Sequence, residues 1–457
     1  MKTRLRAKPV GLLLIRFAPA LLLLLVPPLL VAALRGEGSV AWPLLGAVIP
    51  CAAAAIWLER DPPRSDQTAF EAVLAVTILF PVAGLLLTPA FFFNGLGFTD
   101  SLFDGISSVT STGLSRYSAP EDLSFSVLFM RAWFEWVGGY AIITLTVAFL
   151  SASLPATSDI GGVDVDSDDG DMKKAAFRVL LLYCALTVLS VVALALSGAG
   201  WRDGLLFGLA TISTGGFAPH QDSVQVLSFF SSWVVMVFML LGAVTFSDLA
   251  PPDTKWRMRL IKLGAVVIAL MALGLVSTLT IAIMDGVPFF DALFTGFSGQ
   301  TTTGFSRTAT DELGAASKLM LTLSMFIGAD TGSTGGGIKI LRLLLLTALV
   351  LGLFRRARKE LWPDGSVTMT LSIIAVSAGL ILAGALALSL LGSSFVDALF
   401  EMTSAVSTVG LSSGITADPP HPLSLWVLMI GMSLGRVEVL LFALMVANAV
   451  RGQKEAS

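Results

Sequence analysis

Four segments of this chain align without a gap: DSLFDGISSVTSTGLS (100–115), DGLLFGLATISTGGFA (203–218), DALFTGFSGQTTTGFS (291–306) and DALFEMTSAVSTVGLS (397–412). Each begins with aspartate, carries leucine two residues later and reaches glycine thirteen residues after the aspartate, at Gly113, Gly216, Gly304 and Gly410. Leu or Phe follows each glycine. Hydroxyl residues stand three and two residues before it: Thr110 and Ser111, Ser213 and Thr214, Thr301 and Thr302, Ser407 and Thr408. One copy would read as a polar turn, because glycine and threonine are common in turns. Four copies in one register are an internal repeat, and a repeat commits the chain to four similar units that stack or ring one another.

What separates the copies decides between those two. Charged residues are 13% of the chain and mean hydropathy is +0.84, whereas a soluble protein carries about a quarter charged residues. Apolar runs near the roughly 20 residues that span a bilayer recur from end to end. Ten spans are placed at 10–34, 40–58, 68–92, 124–150, 174–198, 225–248, 258–284, 315–341, 366–391 and 422–448. The first follows the basic start MKTRLRAK but is too long for a signal peptide and lacks its small-residue cleavage site, so it reads as a retained helix. Two full spans separate successive glycine loops, so all four loops enter from one face. Parallel repeats of this kind relate by an axis along the membrane normal, unlike the inverted repeats of many rocking transporters. The fold expected is an all-α polytopic membrane protein. Four parallel helix–pore-helix–filter-loop–helix repeats surround a central pore, with two extra helices at the N-terminus. The units are 1–60 for the extra pair, then 61–157, 158–250, 251–350 and 351–457 for repeats one to four.

Cations set the orientation, since Lys and Arg gather on the cytoplasmic side. One side receives the N-terminus, Arg60, Arg64, Lys173, Lys174, Arg178, Lys255, Arg257, Arg259, Lys262, the RRARK run at 355–359, Arg451 and Lys454; the other holds scattered cations such as Arg35, Arg116, Arg202 and Arg307. Both termini are therefore expected in the cytoplasm. The acidic connection at 158–171 weighs little in that rule and reads as a solvated, flexible loop. Cys51 and Cys184 lie in apolar runs, which argues against a disulfide, and His220 and His421 read as solvated loop residues.

A non-helical backbone survives at membrane depth only when buried in protein or lining a water-filled cavity. From each aspartate to the hydroxyl residues there is room for a helix of about 13 Å, less than half the hydrocarbon thickness. Its C-terminal end, carrying roughly half a negative charge, would face the axis and favour a cation there. The glycine then lets successive carbonyls turn inward, and rings of carbonyls replace an ion's hydration shell. The candidate cation-lining residues are Thr110, Ser111, Thr112 and Gly113; Ser213, Thr214, Gly215 and Gly216; Thr301, Thr302, Thr303 and Gly304; and Ser407, Thr408, Val409 and Gly410. The threonines are expected to hold the backbone rather than to act through their side chains. Asp100, Asp203, Asp291 and Asp397 read as helix N-caps.

Three features together resemble the Trk/Ktr/HKT superfamily of potassium transport proteins: the four glycine loops, the segment FIGADTGSTGGGIKILRLLLL (326–346) and the segment GMSLGRVEVLLFALM (431–445). The match covers about residues 68–450, and the extra helical pair resembles the TrkH-like bacterial membrane subunit more than the shorter Ktr type. By its glycines alone, 328–339 must break its helix; it is no phosphate loop, because Ile338 stands between the last glycine and Lys339. The resemblance makes it a mobile gate beneath the filter, built from Gly332, Ser333, Thr334, Gly335, Gly336 and Gly337 with Lys339. It also places Arg436 toward the pore below the filter. An intramembrane cation is a functional-site hypothesis by default, with a structural ion pair as the other reading. Glu438, two residues on, does not share its helix face. Glu135 stands where a neutral residue is expected, and no role is assigned to it.

The function implied is potassium uptake across the bacterial cytoplasmic membrane through a channel-like pore, with potassium bound at the filter residues. Glycine at all four positions, Gly113 included, implies preference for potassium over sodium. A sodium- or proton-coupled symporter on the same scaffold is the alternative, for which Glu135 is the weak candidate carboxylate. The resemblance further implies a homodimer and a cytosolic nucleotide-binding regulatory subunit of the TrkA type. No covalent or organic cofactor and no nucleic acid is expected in this chain, and no nucleophile–base or metal constellation suggests an enzyme.

Overall fold

The computed structural model describes residues 15–60, 69–153, 169–249, 256–350 and 366–436. Among these the chain is helical, with no strand. Six stretches are long and apolar enough to cross a membrane, by length and composition: Ala18–Arg35, Gly38–Leu58, Leu74–Phe92, Ala176–Ile212, Arg259–Met284 and Thr370–Leu390. The expected all-α polytopic membrane architecture is what the structure shows.

Helices α1 (Ala18–Arg35) and α2 (Gly38–Arg60) form the N-terminal pair. Repeat one follows as α3 (Ala69–Phe92), the short α4 (Phe98–Val109) and α5 (Phe125–Ser153). Repeat two is α6 (Asp169–Leu194), the short α7 (Gly200–Ile212) and α8 (Phe229–Ala243). Repeat three is α9 (Trp256–Met284), the short α10 (Phe289–Thr301), α11 (Ala315–Ile327) and α12 (Ile340–Val350). Repeat four is α13 (Ser366–Leu390), the short α14 (Phe395–Val406) and α15 (Leu423–Arg436). The intended unit boundaries fall at or in segments outside the described residues, as do 158–168 of the acidic connection, the basic run at 355–359, Glu438 and the end of the last span.

Buried side chains order the repeats around an axis. Leu24, Leu44 and Phe80 seat the N-terminal pair on repeat one. Ile143 and Leu128 meet Tyr183 and Leu209 between repeats one and two. Phe207 and Met236 meet Phe294 and Phe305 between two and three, and Ile281 and Leu321 meet Phe400 and Leu411 between three and four. Leu102 and Phe103 of repeat one pack with Met402 and Leu428 of repeat four, so the ring closes. Outward faces keep apolar side chains such as Leu181, Val188, Ile268 and Ile283 exposed. In lipid such faces carry no hydrophobic penalty, and close packing rather than burial holds the bundle.

The expected break at 328–339 is present: the span at 315–341 is two helices, α11 and α12, with 328–339 irregular between them. Three expectations are corrected. The span at 225–248 is shorter, Phe229–Ala243, because Ser223–Val226 coils into a 3₁₀ turn and Ser228 caps α8 by accepting from Ser231 N. The acidic connection gives way to helix at Asp169, before its expected end. The aspartates are not N-caps: each lies in the first turn of its short helix, and Gly97, Ala199, Pro288 and Ser394 precede those helices. Of these only the Ser394 side chain caps, accepting from Asp397 N at 3.2 Å. Ser394→Ala is therefore expected to cost about 1 kcal/mol, read as a lowered thermal midpoint in detergent, while Pro288→Ala, which removes no cap, leaves the midpoint unchanged.

Candidate ion pathway

The four short helices end alike. The second hydroxyl residue of each loop adopts the left-handed region: Ser111 at φ 47°, Thr214 at 49°, Thr302 at 56° and Thr408 at 49°. Its amide bonds back three residues, as Ser111 N to Ser108 O at 3.0 Å, and the next amide bonds back five, as Thr112 N to Ser107 O at 2.9 Å. The same pair recurs from Thr214 and Gly215, Thr302 and Thr303, and Thr408 and Val409. This is the Schellman ending, which usually places glycine at the left-handed site. A serine or threonine there is uncommon, at a cost of roughly 1–2 kcal/mol, and the two bonds offset it. The loop glycines follow at φ 85°, 87°, 88° and 99° for Gly113, Gly216, Gly304 and Gly410.

These glycines touch in a closed cycle. A Cβ on Gly113 would lie 3.0 Å from the Gly216 Cα, and one on Gly216 would lie 2.7 Å from the Thr303 carbonyl and 3.3 Å from the Gly304 Cα. One on Gly304 would overlap the Val409 carbonyl and lie 3.1 Å from the Gly410 Cα; one on Gly410 would lie 3.3 Å from the Gly113 Cα. No side chain fits at any of the four without displacing a neighbouring loop. The hydroxyls beside them bond mostly to nearby backbone or to each other. Thr110 Oγ1 donates to Ile106 O at 2.8 Å and lies 2.8 Å from Thr112 Oγ1; Thr301 and Thr303 repeat the pattern at 2.8 and 2.9 Å.

Beyond the glycines each chain is tied into a mouth. Every aspartate of the repeat is paired there: Asp100 with Arg116 (2.8 Å), Asp203 with His220 (2.8 Å), Asp291 with Arg307 (2.7 Å) and Asp397 with Lys318 (2.7 Å). His220 is thus not a merely solvated residue. The loops also bond to each other. Arg116 donates to the carbonyls of Thr416 and Ala417, Arg307 to Val224 O at 3.0 Å, and Thr310 to Ser412 O at 2.6 Å.

On the opposite side of the glycine cycle lies 328–339. Gly336 N donates to Thr302 Oγ1 at 2.8 Å, and a Cβ on Gly336 would overlap the Ser407 carbonyl. Thr334 Oγ1 lies 2.9 Å from Ile212 O, the carbonyl at the end of α7, and 2.9 Å from Gly242 O. The shortened α8 explains the seat: its terminal carbonyls receive Asp330 N (2.8 Å, at Ala243) and Thr334 N (3.3 Å, at Gly242), and Phe246 N donates to Gly332 O at 3.3 Å. Thr245 Oγ1 bonds Asp330 and Thr331. Gly332 and Gly337, both at φ 78°, turn the segment, Ser333 Oγ donates to Asp330 O at 2.6 Å, and Lys339 folds its ammonium back onto Gly335 O. Arg436 Nη1 reaches Thr334 O at 3.2 Å and Thr408 Oγ1 at 3.3 Å, and Nη2 reaches Gly138 O at 3.3 Å. Among the described residues its partners are these oxygens and not a carboxylate.

Two features escaped the sequence reading. Gly138, Gly242 and Gly435 each lie where a Cβ would meet the last carbonyl of a short helix, at Val109, Ile212 and Val406. In repeat three that place is taken by Gly335, where a Cβ would lie 3.1 Å from the Thr301 carbonyl. The first three stand 25 or 26 residues after their loop glycines and Gly335 31 residues after Gly304, a second repeat signal hidden by its varying spacing. The other is Glu135, fully buried against the second loop, with its carboxylate accepting from Phe217 N.

Known proteins resemble this chain in sequence and fold. The sequence pattern of the TrkH family, described as cation transport protein, matches residues 47–250 and 253–452. The chain is 30% identical to the Trk system potassium uptake protein TrkI of Halomonas elongata over 388 aligned residues, covering 76% of each protein. It is 26% identical to the Trk system potassium uptake protein TrkH of Escherichia coli over 481 aligned residues, 94% of this chain and 95% of that one. The crystal structure of the potassium transporter TrkH from Vibrio parahaemolyticus superposes with a TM-score of 0.79 at 24% identity, covering 96% of this chain and 97% of that one.

Proposed function

We propose, on the premise that this chain belongs to the TrkH family of cation transport proteins, that it takes up potassium through the pathway bounded by Gly113, Gly216, Gly304 and Gly410. Membership in that family makes the chain a transport protein and not an enzyme. The observation that carries the reading is the closed cycle of four glycines, each with no room for a Cβ and each preceded by a hydroxyl residue in the left-handed conformation. Alternating left-handed residues turn successive carbonyls to one side, the arrangement that lets backbone oxygens stand in for water around a cation. The ends of α4, α7, α10 and α14 add their partial negative charge. Relatives named for potassium uptake supply the choice of ion.

The segment 332–337, with Lys339 and Arg436, is assigned as the gate, in its closed position. Thr334 occupies a carbonyl at the end of α7 that would otherwise face a passing ion, and Arg436 places a fixed positive charge beside it. The chain is assigned to the bacterial cytoplasmic membrane with both termini inside, as a homodimer that docks a cytosolic nucleotide-binding subunit on the gate side. The coupled alternative rests on a free carboxylate in a span, and Glu135 is engaged by the Phe217 amide; the geometry favours the uncoupled pathway.

The test is reconstitution. Liposomes carrying the protein are expected to pass potassium and rubidium down their gradients, and to do so without any proton gradient. Expression is expected to restore growth at low potassium in a bacterium stripped of its own uptake systems. Flux that requires an imposed proton or sodium gradient would overturn the uncoupled pathway in favour of symport.

A further inference from the structure

The stretch beyond each loop glycine is held from behind by one polar side chain, except in repeat two. The residue four after the repeat aspartate accepts from the amide sixteen after it. Asp104 Oδ1 accepts from Arg116 N at 3.2 Å, Thr295 Oγ1 from Arg307 N at 3.2 Å, and Glu401 Oε2 from Ser413 N at 2.6 Å. In repeat two the corresponding residues are Phe207, which has no acceptor, and Pro219, which has no N–H. Both halves of the bond are missing together.

We propose that Glu135, on α5 of repeat one, replaces the missing bond across the repeat boundary and is a positioning residue for ion selectivity at the second loop. This rests on the reading of the four loops as the selectivity filter. Both its carboxylate oxygens face Phe217 N, at 3.1 and 3.3 Å, one residue beyond Gly216. Glu135 is fully buried, and among the described residues it has no ion pair. The nearby Arg131 instead lies over the Phe217 ring, 4.0 Å from its centroid, and donates to Ser115 Oγ at 2.6 Å.

A second observation agrees independently. The residue before the loop glycine is Thr112, Thr303 and Val409 in three repeats but Gly215 in the second. Its backbone has no positive φ to demand glycine. A Cβ there would lie 2.5 Å from Glu135 Oε2 and 2.7 Å from Glu135 Cβ. The carboxylate therefore fills the space that a side chain of the loop fills elsewhere. Gly215, Phe207, Pro219 and Glu135 form one compensated set. A buried amide left without any acceptor is costly.

The experiment compares potassium and sodium flux in liposomes for wild type, Glu135→Ala, Glu135→Gln, Gly215→Thr and the double variant Glu135→Ala/Gly215→Thr, each checked for a monodisperse detergent-stable fold. Glu135→Ala is expected to lower the potassium-over-sodium ratio about tenfold, the scale of leaving a buried amide without its acceptor. Glu135→Gln keeps an acceptor oxygen and should stay within about threefold of wild type. Gly215→Thr alone should lose selectivity by displacing the carboxylate, and the double variant, which still lacks an acceptor for the Phe217 amide, should stay at least as low as Glu135→Ala. An unaltered ratio in Glu135→Ala, or a double variant that regains the wild-type ratio, overturns the proposal. Should Glu135→Ala fail to fold, the Gln variant and the Gly215→Thr pair decide it. Wild-type liposomes without potassium preference would instead overturn the filter reading itself.

Discussion

Gly304→Ser is expected to lower the potassium-over-sodium permeability ratio about tenfold or more while leaving the fold intact. The left-handed backbone at φ 88° costs an L-residue roughly 1–2 kcal/mol, and a tenfold change in an equilibrium corresponds to about 1.4 kcal/mol. Strain is only part of the effect. A Cβ at this position would overlap the Val409 carbonyl and crowd the Gly410 Cα, so the third and fourth loops must move apart. A carbonyl ring that has lost its spacing holds a dehydrated potassium ion less well and gains little for sodium. The lesion is local, because the surrounding Schellman bonds of Thr302 and Thr303 and the Arg307–Asp291 pair do not involve the added side chain. Reversal potentials or paired flux measurements in liposomes check it. Selectivity and rate both equal to wild type would remove Gly304 from the pathway.

How far the chain is legible without coordinates differs between elements for physical reasons. Spans and the repeat were legible because both are periodic in sequence: apolar length recurs, and the aspartate-to-glycine spacing is constant at thirteen residues. The left-handed hydroxyl residue at Ser111, Thr214, Thr302 and Thr408 was not. Local propensity disfavours it, and the two backbone bonds that close each short helix hold it. Element ends were missed where tertiary bonds set them. Residues 244–248 hold no glycine or proline to stop a helix, yet α8 stops at Ala243 and its last carbonyls receive amides from 328–339, about ninety residues away. The aspartates were misread as caps because a carboxylate near a helix start suits either role. Their partners lie on other segments, in the case of Lys318 on the neighbouring repeat. Glu135 had no visible purpose because its reason lies in what Phe207 and Pro219 lack.

Deleting 331–337 is expected to raise cation flux more than tenfold in liposomes lacking any cytosolic partner. The segment is held in place by bonds that reach other elements: Thr334 N to Gly242 O, Gly332 O from Phe246 N, Gly336 N to Thr302 Oγ1, Thr334 Oγ1 near Ile212 O, and Arg436 to Thr334 O. At a net of about 1 kcal/mol for each bond, the seated position is favoured by several kcal/mol and the cleared pathway is a minor state. Removing the segment abolishes that preference and makes the cleared state the only one. A single methyl should push the same way. Gly336→Ala would set its Cβ into the Ser407 carbonyl, so the segment cannot keep its seat beneath the fourth glycine loop. Flux in that variant should rise with potassium selectivity retained, since none of the four loop glycines is replaced and the 328–339 loop is the part that gives way. The two lesions separate gating from folding, because a chain that merely lost stability would lose flux in both. Unchanged or reduced flux in both variants, with the protein monodisperse, would make 328–339 a fixed helix break and leave the barrier to be sought elsewhere along the axis.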